Sequence, residues 1–108
     1  MNFRWPLIIR RVQGHSMMPT LPPNQLVFGR GWFRKIRPGN VVVFDHDGIE
    51  KIKRVSEVKA AKYFMLGDHK QASTDSREFG WISRSQIRAK IFWPMTGKYR
   101  DLLNKKIM

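Results

Sequence analysis

Residues 37–58 read RPGNVVVFDHDGIEKIKRVSEV, and the fold class turns on how this stretch divides. RPGN (37–40) is turn chemistry, because proline fixes φ and lacks an amide donor while glycine tolerates positive φ. The run VVVFD that follows is almost wholly apolar, which fits a strand covered on both faces. HDG (46–48) signals a tight hairpin, with Asp-Gly supplying the positive-φ positions. From Ile49 the chain alternates, with Ile49, Lys51, Lys53 and Val55 on one parity and Glu50, Ile52, Arg54 and Ser56 on the other. Lys51 and Lys53 therefore share a face of their strand.

Working outward, LIIRRV (7–12) reads as a strand that runs into Gly14 and delivers Ser16 to a turn, and TLPPNQ (20–25) is a turn before the strand LVFG. KYFMLG and IRAKIFW (87–93) read as two more strands, and YRDLLNKKIM (99–108) as a short C-terminal helix. Short strands separated by Gly and Pro turns predict a mainly β chain, a small barrel or sandwich of short antiparallel strands. The expected organisation is one domain over residues 1–108, with a core at about 12–93 and a basic C-terminal tail at 94–108.

Composition narrows the chemistry. The 108 residues include no cysteine, which excludes disulfides, thiol nucleophiles and thiolate metal sites. The apolar stretch WPLII (5–9) falls far short of a bilayer span, so the chain reads as soluble or at most peripheral. Lys and Arg number 21 against 8 Asp and Glu, a formal charge of +13 that points to an anionic partner. No acid precedes Asp45, whereas Arg4, Arg10, Arg11, Arg30, Arg34, Lys35 and Arg37 all do. Trp5, Trp32, Phe33, Phe92 and Trp93 stand beside basic residues or near the chain ends, a pairing that suits an anionic membrane interface and peripheral contact with it.

GHSMMPTL (14–21) raises the possibility of a nucleophile at Ser16. A serine hydroxyl needs a base within hydrogen-bond reach. His15 adjoins Ser16 but points to the opposite face of an extended segment; His46 sits at a hairpin tip, with no second metal ligand at a recognisable spacing. His69 lies among polar residues, so a set of Ser16, His69 and Asp75 is one arrangement. Lysine is the other candidate base, provided burial or nearby cations lower its pKa, and Lys53 lies between Ile52 and Arg54 on a strand beside a core-like run. Composition alone makes any lysine in so basic a chain a solvated surface charge.

The segments GHSMMPTL, RPGNVVVF, IEKIKRV and LGDHKQASTDSREFG together resemble, in order and character, the boxes of the type I signal peptidase family of Ser-Lys proteases, over about residues 12–93. The resemblance implies the fold of that family's catalytic core, with Ser16 as nucleophile and Lys53 as general base. It implies that Ser73 orients the lysine, that Asp75 and Arg77 form a supporting ion pair, and that Gly67 and Asp68 open the last box. The backbone amide of Ser16 is placed to donate to an oxyanion. Family members commonly add a hydroxyl donor two residues earlier, where this chain has Gly14; Asn40 and His69 stand where aspartate and asparagine are frequent. With 36 residues between Ser16 and Lys53 and 13 between Lys53 and Gly67, the chain reads as close to a minimal catalytic core without an anchor.

The implied activity is cleavage of an N-terminal leader, a signal peptide or pro-segment, from a precursor protein with small side chains beside the scissile bond. No metal or other cofactor is implied. Membrane-peripheral placement is favoured, with a cytoplasmic maturation protease as a variant and a self-cleaving repressor-type regulator as a relative sharing the dyad. The alternative of another class is a small basic β-barrel that binds nucleic acid through GRGWFRKIRPG (29–39). It accounts for the charge but not for four ordered boxes.

Overall fold

The computed structural model describes residues 5–94. Seven strands, β1 (Leu7–Arg11), β2 (Leu26–Arg30), β3 (Val41–His46), β4 (Ile49–Lys59), β5 (Lys62–Leu66), β6 (Ile82–Ser83) and β7 (Ile87–Trp93), form one antiparallel sheet. Their order is β1-β2-β7-β3-β4-β5-β6, so the fold is mainly β, as the turn-punctuated sequence predicts. The sheet does not close into a barrel: β1 and β6 remain its two ends. The helix expected at 99–108, and the tail from residue 95 on, lie outside the described residues.

The decisive stretch folds as its pattern dictates. Val41, Val42, Val43 and Phe44 are all buried, and successive side chains enter different cores. Val41 and Val43 pack with Val12, Met17, Leu21, Val27, Ala89 and Ile91. Val42 and Phe44 pack with Ile36, Val55, Tyr63, Met65, Ile82 and Ile87. Each such side chain stabilises the fold by about 1.5–3 kcal/mol on burial, so β3, buried on both faces, ties the halves of the molecule together. The hairpin to β4 turns at Asp47 and Gly48 with φ of 50° and 76°. The next hairpin, β4 to β5, turns at Ala60 and Ala61 with φ of 50° and 59°, a backbone that alanine rarely adopts and that its sequence does not advertise.

One helical turn, α1 (Ser76–Phe79), interrupts the second half of the chain. The Asp75 side chain accepts from the Arg77 amide at its start, and Gly80 ends it with φ of 84°. At the other end of the sheet, β1 departs from polar-out alternation. Leu7 and Ile9 lie opposite Arg30 and Phe28 of β2, and Arg11 lies opposite Leu26. Opposed residues share a face. Leu7, Ile9, Leu26 and Trp93 are exposed there, with Trp93 edge-on to Phe28 at 5.6 Å.

Candidate active site

Beyond β1 the chain folds into a loop held by its own backbone. The Val12 amide donates to the Gln25 carbonyl and the Asn24 amide to the Val12 carbonyl, both at 2.8 Å, closing the loop at its base. Met17 and Leu21 anchor it from within: both are fully buried in the first core, and the Leu21 amide donates to the Met17 carbonyl. Gly14, at φ 75°, lets the chain reverse just before Ser16. Ser16 is thus half-buried, with its carbonyl accepting from the His69 amide at 2.8 Å.

β4 brings Lys53 to the same point. The hairpin register sets Lys53 opposite Val42, so its stem is buried and its side chain is nearly closed off from solvent. Its Nζ donates to Ser16 Oγ at 2.7 Å. Burial pushes the Lys53 ammonium below its ordinary range, the neighbouring Lys51 charge pushes it further, and the Asp75 carboxylate pulls in the opposite direction. Lys51 itself lies opposite Phe44, with its ammonium 5.7 Å from the centre of the Phe79 ring.

The segment 67–77 forms the wall behind this pair. Asp75 is fully buried and accepts from the Gly67 amide (3.0 Å), the Ser73 hydroxyl (2.9 Å), and Nε and Nη2 of Arg77 (2.9 and 3.0 Å). Burial would raise the Asp75 carboxyl, but these donors outweigh it and hold it at about 2. Gly67 has no room for a side chain: a Cβ there would stand 2.2 Å from Ser73 Oγ and 2.7 Å from the Ser16 carbonyl. The Ser73 hydroxyl donates to Asp75, and the Ser73 side chain lies close against Gly67.

Two contacts escape a reading of the sequence alone. Arg54, next to Lys53, forms a two-pronged ion pair with Asp68 (2.8 Å each) and donates to the Gly39 carbonyl. Burial of the Asp68 carboxyl works against ionisation, but hydrogen bonds from Arg54 and Thr20, with the Arg54 charge, leave it below its ordinary range. The signal lies in the register: Arg54 opposes Leu66, two residues from Asp68. The second is the His69 amide on the Ser16 carbonyl; the histidine contributes its backbone there while its residue is exposed.

The set of Ser16, His69 and Asp75 is not assembled, since the Asp75 oxygens are taken by Arg77, Gly67 and Ser73. His46 stacks on Phe79 at 4.2 Å. Among the described residues no three His, Asp or Glu side chains are grouped to hold a metal ion, and no helix is long and apolar enough to cross a membrane. A cavity of about 330 Å³ opens at Ser16 and Lys53, lined also by Arg10, Gln13, Glu50 and Lys51.

In this mainly β chain the buried Lys53 amine stands within hydrogen-bond reach of a serine hydroxyl, the distance at which a base could take a nucleophile's proton. Comparison with known proteins narrows the class. Residues 49–96 match the family model described as signal peptidase, peptidase S26, a span that contains Lys53 and the 67–77 wall but not Ser16. Signal peptidase IB of Staphylococcus aureus strain N315 and of strain COL are each 43% identical to this chain over 42 residues, covering 36% of this chain and 22% of the relative. The matched stretch thus spans about a fifth of the length of those relatives. These matches support the type I signal peptidase family, and with it a peptidase activity at the level of the family.

Proposed function

We propose that this chain is a serine endopeptidase that removes a leader, a signal peptide or pro-segment, from a precursor protein, with Ser16 as nucleophile and Lys53 as general base. The observation that carries the reading is the 2.7 Å hydrogen bond between Lys53 Nζ and Ser16 Oγ, made by a lysine that the fold buries. With Lys53 neutral, the serine proton passes to Nζ as Oγ attacks the scissile carbonyl carbon, and negative charge moves to the carbonyl oxygen. The Ser16 amide donates to that oxygen; Gly14 brings no hydroxyl, and a water or another amide takes the place of that second donor. The lysinium then protonates the departing amine as the C–N bond breaks, leaving an acyl group on Ser16. A water adds to that ester with Lys53 taking its proton, and the proton returns to Ser16 Oγ as the ester bond breaks and the new carboxylic end leaves.

The remaining residues set the base. Asp75 carries a charge that favours protonated lysine, and its pairing with Arg77 limits that pull. Ser73 orients the lysine through Asp75, and Gly67 lets the 67–77 wall approach Ser16. Arg54 and Asp68 fix the wall to the lysine-bearing strand.

Titration with a serine-reactive acylating inhibitor tests the assignment. One covalent adduct on Ser16, absent in Ser16→Ala together with cleavage of leader peptides, is the expected result. Undiminished cleavage by Ser16→Ala overturns it, and salt-dependent oligonucleotide binding with no labelling would favour a nucleic-acid module.

The outward face of Leu7, Ile9, Leu26 and Trp93, flanked by Arg11 and Arg30, supports a second element of the reading. It is peripheral contact with an anionic bilayer, in which apolar side chains enter the interface and the arginines meet phosphate.

A further inference from the structure

The cavity at Ser16 and Lys53 carries a pair of charges that the reaction above leaves unused. Arg10 on β1 and Glu50 on β4 meet across it in a two-pronged ion pair of 2.5 and 3.3 Å. Arg11 and Lys51 line the same space, and Glu50 is the one acid that does so among the described residues. The cavity is therefore net positive even with Lys53 neutral. Both members of the pair are reachable, with side chains 41% and 31% exposed.

The chemistry of that pair discriminates between incoming side chains. A guanidinium carries five N–H donors, more than Arg10 uses on Glu50 and on the Ile9 carbonyl, so a second carboxylate can join it without expelling Glu50. An apolar side chain entering the same space would strip water from the ions and return no contact. A basic one would face Arg10, Arg11 and Lys51. The space, about 330 Å³, suits a short run of extended peptide rather than a whole domain.

We propose that the cleft selects precursors bearing an acidic side chain within a few residues of the scissile bond, with Arg10 as the specificity-determining residue and Glu50 holding it in place. The proposal rests on the Ser16–Lys53 reading, which sets the scissile carbonyl at Ser16 Oγ. It adds a charge requirement to the small side chains implied beside that bond.

The test is a set of leader peptides in which each position near the cleavage point in turn carries Glu, Gln, Leu or Lys, with kcat/KM measured for each. At one position Glu should exceed Lys and Leu by about 10-fold or more, the worth of a charge-assisted hydrogen bond, and high salt should narrow the gap. Replacing both charges, Arg10→Gln with Glu50→Gln, leaves neither ion unpaired and should bring the ratio close to one. Equal rates in the unmodified protein, a preference for Leu or Lys throughout, or a Glu preference that survives the double substitution would each overturn the proposal. Binding of the same peptides to Ser16→Ala protein, read by fluorescence anisotropy, separates it from the peptidase reading. Arg10-dependent capture of acidic peptides without cleavage by the parent protein would sink the peptidase and keep the recognition; cleavage with no acidic preference would do the reverse.

Discussion

Asp75→Asn offers a test in which stability and rate should move in linked ways. The carboxyl is buried, accepts from Gly67, Ser73 and Arg77, and is held at about 2 against an ordinary value of 3.8. Each pH unit between those values is worth about 1.4 kcal/mol, so ionised Asp75 contributes about 2 to 3 kcal/mol to the folded state. Because the folded value is depressed, that contribution is complete above 3.8 and is lost as pH falls from there through about 2. Urea unfolding measured between pH 7 and pH 2 should show this loss in the parent protein. Asparagine cannot ionise, so the variant should be less stable at pH 7 by at least about 2 kcal/mol, with the difference shrinking toward pH 2. The same substitution removes a charge that raises Lys53, so the rising limb of cleavage against pH should move to lower pH in whatever activity survives. A difference in stability that stays constant down to pH 2, or a limb displaced upward, would refute the account of Asp75.

Lys53→Arg should be nearly inactive, since guanidinium keeps its proton across the usable range, whereas Lys51→Ala should keep substantial activity with its pH limb moved up as Lys53 loses a cationic neighbour; pH–rate profiles on a leader peptide check both. Gly67→Ala should cut cleavage severely, because the new Cβ would stand 2.7 Å from the Ser16 carbonyl and 2.2 Å from Ser73 Oγ. Thermal unfolding of that variant alongside the rate distinguishes a displaced serine from a lost fold. Sedimentation with anionic and neutral vesicles should show salt-sensitive binding to the anionic ones, weakened in Leu7→Ser with Ile9→Ser; equal binding to both, or none at low salt, would leave the exposed face without a lipid role.

Much of the sheet is legible because its signals are local. Asp47-Gly48 advertises its turn, the valines of β3 advertise burial on both faces, and IRAKIFW matches β7 from Ile87 to Trp93. The hairpin at Ala60 and Ala61 is silent in sequence, since alanine carries no preference for positive φ, and β6 and α1 are too short to set up a period. Strand order is silent for another reason: that β7 lies between β2 and β3 is settled by cores assembled from distant segments. At the candidate site, alternation along β4 puts Lys51 and Lys53 on one face, but the meeting of Lys53 with Ser16 across 37 residues has no local signal. It is reached beforehand only through the resemblance of the ordered boxes. Arg54 and Asp68 lay in those boxes too, yet their pairing needs the hairpin register, in which Val55 and Glu57 oppose Met65 and Phe64 across a bulge.

The place of β7 bears on when the Ser16–Lys53 contact can form during synthesis. β2, which follows the Ser16 loop, and β3, which leads into the lysine strand, are not paired with each other; both are paired with β7. Ala89 and Ile91 of β7 also fill the core on which Met17 and Leu21 seat that loop. A nascent chain that has emerged only as far as Gln86 has the serine, the lysine and the whole 67–77 wall, but lacks the strand that brings the two halves into register. On the proposed reading, the ribosome delivers Ser16, Lys53 and the 67–77 wall before the strand that assembles them, and a growing chain should stay latent until β7 has joined the sheet.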